Sequence, residues 1–148
     1  MSSSSSGAHL QEILPSADLL IGAVLVPGAK TPKLIFRAML RRIRLGSVFV
    51  DIASDQGGCA ETSRPTTHDS PVFVEEGVTH YYVANMPGAY ARTATQALTN
   101  VTYRDLEMLA DYGLDEACIK YPALIGGINI CDGKVTHKAV AEAHALPV

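Results

Sequence analysis

A carboxylate and a carboxamide follow an apolar run near the middle of this chain. The run covers Val48–Ala53, and Asp55, Gln56 and the pair Gly57-Gly58 come soon after it. Open α/β sheets bind ligands at the carboxyl ends of their strands, and glycines there allow close approach of the backbone. The pattern therefore indicates a site. An Asp-x-Gly cluster is also a common turn former or helix N-cap, so a purely structural role for Asp55 stays open on these residues alone.

Two other segments have the same form, an apolar run that ends in a small or proline-containing turn. ADLLIGAVLVP covers Ala17–Pro27, and THYYVANMPG covers Thr79–Gly88. In the second segment, Asn85 begins an Asn-x-Pro sequence that is by itself a turn signal. In the first, Val24 and Leu25 are core residues rather than ligand contacts on the evidence of their type alone.

These turns require strands to position them. Continuous apolar runs predict buried parallel strands over Leu19–Leu25, Val48–Ala53 and Tyr81–Asn85. Helical spacing predicts a helix over Lys33–Arg44, and an edge strand is expected over Pro71–Val74. The order strand, helix, strand is typical of an α/β fold with a mostly parallel sheet.

The two ends of the chain have a different character. His9–Ser16 has the spacing of a short helix, whereas strand signals disappear after Pro87, and helices are predicted over Thr93–Leu109 and Asp115–Tyr121. The serine-rich start has no means of burying apolar surface. We therefore divide the chain into a flexible start (1–8), an α/β part (9–92) and a helical part (93–148).

Composition excludes several functions. The chain has 148 residues, a net charge of −3 and no basic patch, which argues against nucleic acid as a partner. Its apolar runs are far shorter than the roughly 20 residues that span a bilayer, and no signal-peptide pattern is present, so a cytoplasmic protein without membrane contact is expected. The three cysteines fit neither a zinc motif nor a disulfide framework. Because His68 and His80 have no second ligand at short spacing, we predict no metal site.

The segments that carry these turns resemble alanine dehydrogenase, within the alanine dehydrogenase / NAD(P) transhydrogenase alpha-subunit family. The resemblance runs from about His9 to the C-terminus. The transhydrogenase relative usually has Glu before the Gln-Gly-Gly turn and Asn after it, so Asp55 and Cys59 favour the dehydrogenase. The motifs that carry the resemblance are GAVLVPGAK, DQGGCAETSRPTTH, VANMPG and QALTN.

The resemblance implies a fold, a reaction and a set of site residues. The fold would be the second half of a Rossmann-like NAD-binding domain, followed by helices of the substrate domain. The reaction would convert L-alanine, NAD and water to pyruvate, ammonia and NADH. Asp55 would be the catalytic carboxylate beside the nicotinamide. Cofactor contacts are implied for Val24, Leu25, Ile52, Ala53, Ser54, Asp55, Ala84, Asn85, Met86 and Pro87.

The resemblance also implies an incomplete enzyme. The family enzyme is more than twice this length, and the chain has no Gly-x-Gly-x-x-Gly turn to hold a pyrophosphate. We therefore expect a C-terminal fragment that is inactive alone and that forms homo-oligomers or associates with full-length subunits. Two alternatives stay open: a non-catalytic module bound to such subunits, and a transhydrogenase-related nucleotide-binding fragment.

Overall fold

The computed structural model describes residues 7–147, which fall into two compact units. The first unit contains residues 7–26 and 30–86, and the second contains residues 27–29 and 87–147. Most of the predicted flexible start lies outside the described residues, and helix α1 (Gly7–Ile13) begins at its end. No helix within residues 7–147 has the length and apolar character needed to cross a membrane.

A four-stranded sheet forms the centre of the first unit. Its order is β1-β2-β4-β3, in which β1, β2 and β4 are parallel and β3 is antiparallel to β4. Val48 of β2 pairs with Leu19 of β1 and with Thr79 of β4, which fixes the register of the parallel part. The mixed α/β architecture with a mostly parallel sheet was predicted from the sequence and is confirmed. The strands are β1 (Leu19–Gly22), β2 (Val48–Asp51), β3 (Val72–Glu75) and β4 (Val78–Tyr81).

The core of this unit lies under β2 and β4. Phe49 of β2 packs with its ring edge against Tyr82, at a centroid distance of 5.3 Å. His80 of β4 stacks on Phe73 of β3 at 4.8 Å, so aromatic rings link three strands. The other fully buried or nearly buried apolar side chains of this cluster are Leu14, Ile35, Met39, Leu40, Ile43, Cys59, Ala60 and Val78.

The helix predicted over Lys33–Arg44 is much shorter in the structure. Helix α2 covers only Arg37–Leu40. The backbone N–H groups of Leu34 and Ile35 both donate to the carbonyl of Cys59, at 2.7 and 3.1 Å, and this long-range pairing keeps the preceding segment extended. Apolar residues at helical spacing cannot reveal such a competing partner.

In the second unit, the helical segment α3 (Ala91–Lys120) covers both predicted helices. Its helical geometry is interrupted at Gly113, where φ is +69°, close to the predicted gap between the helices. A short hairpin of β5 (Ile130–Cys131) and β6 (Lys134–Val135) follows, which the sequence did not indicate because its strands have only two residues each. The described chain ends with α4 (Lys138–His144).

Candidate active site

A cleft of about 410 Å³ opens at the carboxyl ends of β1 and β2. The position is where parallel α/β sheets bind ligands. Apolar side chains form most of its wall, and Asp55 and Gln56 supply its polar groups. Residues with predicted cofactor contacts are therefore brought together here from two segments of the chain. The lining residues are Ala23, Val24, Leu25, Ile52, Ala53, Asp55 and Gln56.

Asp55 lies on a tight 3₁₀ turn (Ile52–Gln56) that follows β2 directly. Gly57 ends the turn with φ at +92°, a left-handed conformation that glycine adopts without steric cost. The N–H of Gly57 donates to the Ser54 carbonyl at 3.1 Å, and the N–H of Gly58 donates to the Ala53 carbonyl at 2.9 Å. The Gly-Gly pair thus folds the chain back and leaves the Asp55 side chain exposed at the cleft.

The fully buried carboxylate of Asp51 lies beneath this turn. One oxygen, Oδ1, accepts from the N–H of Ala53 at 3.0 Å. The other, Oδ2, accepts from the N–H of Cys59 at 2.7 Å and from the hydroxyl of Ser63 at 3.1 Å. The carboxylate therefore holds both ends of the segment that contains Asp55.

The outer side of the turn is held by a side chain and a backbone N–H of the preceding segment. The ammonium group of Lys33 donates to the carbonyls of Gly57 and Gly58 at 2.6 and 2.9 Å. The N–H of Thr31 donates to the Gln56 carbonyl at 3.1 Å. The segment before α2 therefore fixes the turn from outside, and Asp51 fixes it from the interior.

Asn85 joins the end of the β4 segment to Asp55. Its backbone N–H donates to Asp55 Oδ1 at 3.2 Å, although 30 positions separate the two residues. Asn85 has φ at +56°, a conformation that is uncommon for residues other than glycine and that asparagine tolerates better than most. The Asn85 carbonyl also lies 3.2 Å from His68 Nε2. The two turns that resemble the family motifs therefore meet in space.

The remaining predicted site residues lie near this junction. The Ser54 hydroxyl donates to the Val83 carbonyl at 3.3 Å, which connects the Asp55 turn to the segment after β4. The N–H of Ala84 donates to the Thr66 carbonyl at 3.3 Å. Met86 begins a 3₁₀ turn that also contains Pro87, and Met86 does not line the cleft.

Three ionisable side chains behind the cleft, those of Cys59, Tyr82 and His80, are held in their uncharged form. Burial, with a further contribution from the Asp51 carboxylate, raises the pKa of the Cys59 thiol to about 12. Burial also raises the pKa of the Tyr82 hydroxyl and lowers the pKa of His80. Because a protonated, buried thiol is a poor nucleophile, Cys59 is unsuited to covalent catalysis.

The cleft is suited to a flat ring with polar groups at its edge, such as the nicotinamide that the resemblance implies. Its wall is mostly apolar, as a flat aromatic ring requires, and the carboxylate of Asp55 and the carboxamide of Gln56 are available for polar contacts. The 148-residue sequence contains no Gly-x-Gly-x-x-Gly turn that could hold the pyrophosphate. The residues present therefore fit one end of such a cofactor.

Sequence reasoning missed several residues around the turn. Asp51 lies in β2 as predicted, but its buried polar role was not predicted, although a carboxylate in an otherwise apolar run is a signal for such a role. Ala23 lines the cleft beside residues that were predicted to do so, whereas the carboxamide of Gln56 belongs to the pattern that indicated the site. His68 was considered only as a metal ligand. Its contact with Asn85 depends on the fold, and spacing in the sequence gives no sign of it.

Comparison with known proteins identifies the family of this chain. The family model described as "Alanine dehydrogenase/PNT, C-terminal domain" matches residues 2–138. The chain is 57% identical to alanine dehydrogenase from Halomonas elongata over 93% of this chain and 37% of that protein. It is 52% identical to alanine dehydrogenase from Mycolicibacterium smegmatis over 97% of this chain and 38% of that protein. The chain thus spans less than two fifths of these curated relatives.

Solved structures give the same result. An L-alanine dehydrogenase structure matches 95% of this chain and 39% of its own, with 45% identity and a TM-score of 0.77. A transhydrogenase from Sinorhizobium meliloti matches 91% of this chain at 26% identity, with a TM-score of 0.65. The likeness to the dehydrogenase is stronger by both measures. The chain belongs to the family of alanine dehydrogenase/PNT C-terminal domains.

Proposed function

We propose that this chain forms the nicotinamide-side wall of the active site in an NAD-dependent L-alanine dehydrogenase, with Asp55 as the catalytic carboxylate. The observation that carries the proposal is the cleft at the ends of β1 and β2, which has the exposed carboxylate of Asp55 at an otherwise mostly apolar surface. Relatives with 50% or more identity are named alanine dehydrogenase, which supports the same assignment.

Asp55 has the chemistry that oxidative deamination of an amino acid needs. A fixed carboxylate stabilises positive charge that develops on the substrate nitrogen, and it can orient the water that attacks the imine carbon. Its contact with the Asn85 N–H occupies one lone pair of Oδ1, and among residues 7–147 Oδ2 has no hydrogen bond, so it is available for this work. The fixed turn beneath Asp55 supplies the preorganisation that such electrostatic stabilisation requires.

The residues that would hold the cofactor are those that line the cleft or border it. Ile52 and Ala53 would contact the nicotinamide, Val24 and Leu25 the ribose side, and Asn85 the carboxamide group. Bound NAD would supply the hydride acceptor. The residues of this chain would orient the ring, exclude water from one of its faces and keep Asp55 close to the substrate.

The intact enzyme would convert L-alanine to pyruvate and ammonia in the cytoplasm. Since the relatives are more than twice as long as this chain, the activity would need partner residues that come from outside the 148-residue sequence. We include homo-oligomerisation, or association with longer subunits, in the proposal because apolar side chains are exposed along α3. The transhydrogenase alternative is disfavoured by its lower identity of 26%.

The test joins this chain to the N-terminal part of a related alanine dehydrogenase and changes Asp55→Asn. Asparagine keeps the size of the side chain and an oxygen that can accept from Asn85, but it removes the charge. We expect kcat for alanine oxidation to fall by about 100-fold or more, the range typical of a catalytic acid–base group. The dissociation constant for NAD, measured by calorimetry, should change much less.

Cys59→Ala in the same chimaera supplies the control. The thiol is buried and protonated and takes no chemical step, so most activity should be retained. The assignment of the site is wrong if the folded Asp55→Asn chimaera keeps full turnover while the Cys59→Ala chimaera loses it.

A further inference from the structure

We infer that Asp51 is a positioning residue. Its buried carboxylate sets the position of Asp55 by holding both ends of the turn that contains Asp55. This inference deepens the proposed function, because the value of placing Asp55 rests on its proposed role. The geometry itself stands on contacts within the first unit alone.

The contacts of Asp51 divide between the two ends of the turn. Oδ1 binds the N–H of Ala53 at 3.0 Å, where the turn begins, and Oδ2 binds the N–H of Cys59 at 2.7 Å, just after it ends. The Ser63 hydroxyl also donates to Oδ2 and in turn accepts from the N–H of Ala60 at 2.9 Å. All three partners of the carboxylate are donors, so the site is built for an acceptor at both oxygens.

Gly58 gives this arrangement its tightness. A Cβ atom on Gly58 would lie 2.7 Å from Asp51 Oδ2 and would also collide with the side chain of Ser63. The glycine has φ at +73°, so it is also required by the backbone conformation. The backbone of Gly58 therefore lies close against the carboxylate, so a displacement of Asp51 would also displace the turn.

A displacement of Asp51 would move Asp55 through the short stretch of chain that joins it to Ala53. Asp55 stands two positions after Ala53, and its own Oδ1 accepts from the Asn85 N–H at 3.2 Å, near the upper end of hydrogen-bond distances. A hydrogen bond of that length is sensitive to small movements of either partner. The Asn85 amide is therefore a reporter of where Asp51 places Asp55.

The decisive variant is Asp51→Asn. A carboxamide has one acceptor oxygen and one NH₂ donor, and in either orientation the donor faces a backbone N–H, from Ala53 or from Cys59. Two donors cannot pair, and a buried unpaired polar group is costly, so the turn must shift. The side chain keeps its size, which separates loss of the acceptor from loss of packing.

The experiment uses the 148-residue chain and follows amide protons by NMR as a function of pH. In the unsubstituted chain, the Asn85 amide proton should move as the Asp55 carboxyl group ionises, because it donates to that group. The Asp55→Asn variant identifies this movement as due to Asp55. In Asp51→Asn, we expect the movement to shrink by about twofold or more, because hydrogen bonds weaken steeply with distance and angle. Amide shifts of paired strand residues further from the substitution, such as Val48 and Thr79, should stay in place.

Asp18→Asn is the matched control. Asp18 is an exposed carboxylate paired with Arg44 at 2.7 Å, and its substitution removes the same charge away from the turn. The Asn85 titration should be unchanged in this variant. If the amide shifts of the paired strand residues also change in Asp51→Asn, the carboxylate supports the whole sheet, and its role is structural rather than specific to the placing of Asp55.

A second variant covers the case in which Asp51→Asn does not fold. Ser63→Ala keeps both backbone contacts of Asp51 but removes the hydroxyl that fixes Oδ2, so the carboxylate is held less firmly, and a folded chain with a weakened Asn85 titration is expected. The inference is overturned if the Asn85 amide still follows Asp55 fully in folded Asp51→Asn, or in Ser63→Ala when Asp51→Asn is unfolded. Since this test needs no NAD and no turnover, its outcome is independent of the activity test on Asp55.

Discussion

At the scale of single residues, His80 couples the stability of the first unit to pH. The ring is fully buried, with Nδ1 at 2.8 Å from the Val78 carbonyl and Nε2 at 3.0 Å from the Thr62 hydroxyl. Burial lowers the pKa of His80 from its ordinary value of 6.5, and the Val78 carbonyl opposes this only in part. The folded protein therefore contains neutral His80 under conditions in which the unfolded chain already binds a proton.

The sign of the pH effect follows from this difference. Below about pH 6.5 the unfolded chain takes up more protons than the folded one, so the free energy of unfolding should fall as pH decreases from there to the folded-state pKa. The slope is at most about 1.4 kcal/mol per pH unit for one group. Urea denaturation between about pH 7.5 and about pH 5.5 measures it. His80→Gln should be less stable at neutral pH but should show a smaller slope, and equal slopes in both proteins would contradict the prediction.

Residue types and motifs were enough to select Asp55 and Asn85, because both follow apolar runs and stand in turns that resemble a family pattern. The roles of these residues stay predictions. The partners that fix them were not predictable, since Asp51, Lys33 and His68 act through contacts that form only when distant segments fold together. A carboxylate inside an apolar strand was the one available signal, and it was overlooked.

At the scale of elements, β1 and the turn after β2 meet at Gly22. A Cβ atom there would lie 3.2 Å from Phe49 Cε2 and 3.3 Å from Asp51 Oδ1, and it would overlap the Cys59 Sγ atom. The backbone conformation of Gly22 is open to other residues, so only space requires glycine at this position. The thiol of Cys59 thus acts as a packing group between strand and turn.

We expect Gly22→Ala to lower the free energy of unfolding by about 1–3 kcal/mol, as overpacking of a core usually does. The cost should be smaller in a Cys59→Ala background, where the overlapping sulfur is absent. Urea denaturation of the two single variants and the double variant measures the coupling, which should be about 1 kcal/mol. Additive costs would mean that the sulfur and the new methyl group do not compete for space.

The elements that position the site were largely evident from apolar runs. All four strands of the sheet lie at or next to predicted strands. The strand predicted over Tyr81–Asn85 corresponds to β4, which begins earlier, at Val78, and ends at Tyr81. Its predicted continuation to Asn85 leaves the sheet because the segment pairs with the loop near Thr66 instead. The extended segment before α2 was wrongly predicted as helix. Its backbone partner, the carbonyl of Cys59, lies far along the chain, so local spacing does not reveal it.

At the scale of the whole molecule, α3 presents an apolar surface to solvent. Leu98, Val101 and Leu106 are 63%, 71% and 65% exposed, and their spacing places them on one side of the helix together with Leu109. Surfaces of this kind mark interaction sites or aggregation-prone regions. The domain boundaries predicted at residues 8, 92 and 148 stay predictions.

We therefore expect the isolated 148-residue chain to self-associate at micromolar concentrations, as light scattering would report. Replacing Leu98 and Leu106 together by Gln should reduce the average mass by about twofold or more, because it removes apolar area from the shared surface. Asn100→Gln with Glu107→Gln, on the opposite side of the helix, should leave the mass unchanged. A monomer of the unsubstituted chain would contradict the expectation.

The register of the sheet also determines the entropic cost of closing the loop that each strand pairing requires. The two parallel pairings join residues 29 positions apart (Leu19 and Val48) and 31 positions apart (Val48 and Thr79), whereas the hairpin of β3 and β4 joins Glu75 to Val78. Because loop-closure entropy grows with the logarithm of chain separation, the parallel pairings cost nearly the same, and the hairpin costs roughly 2 kcal/mol less than either. The order of strand pairing with the lowest entropic cost therefore begins with the hairpin of β3 and β4 and proceeds toward β1. The Asp55 turn follows β2 directly and is tied to the β4 segment at Asn85, so it acquires its final geometry only with the costlier parallel pairings.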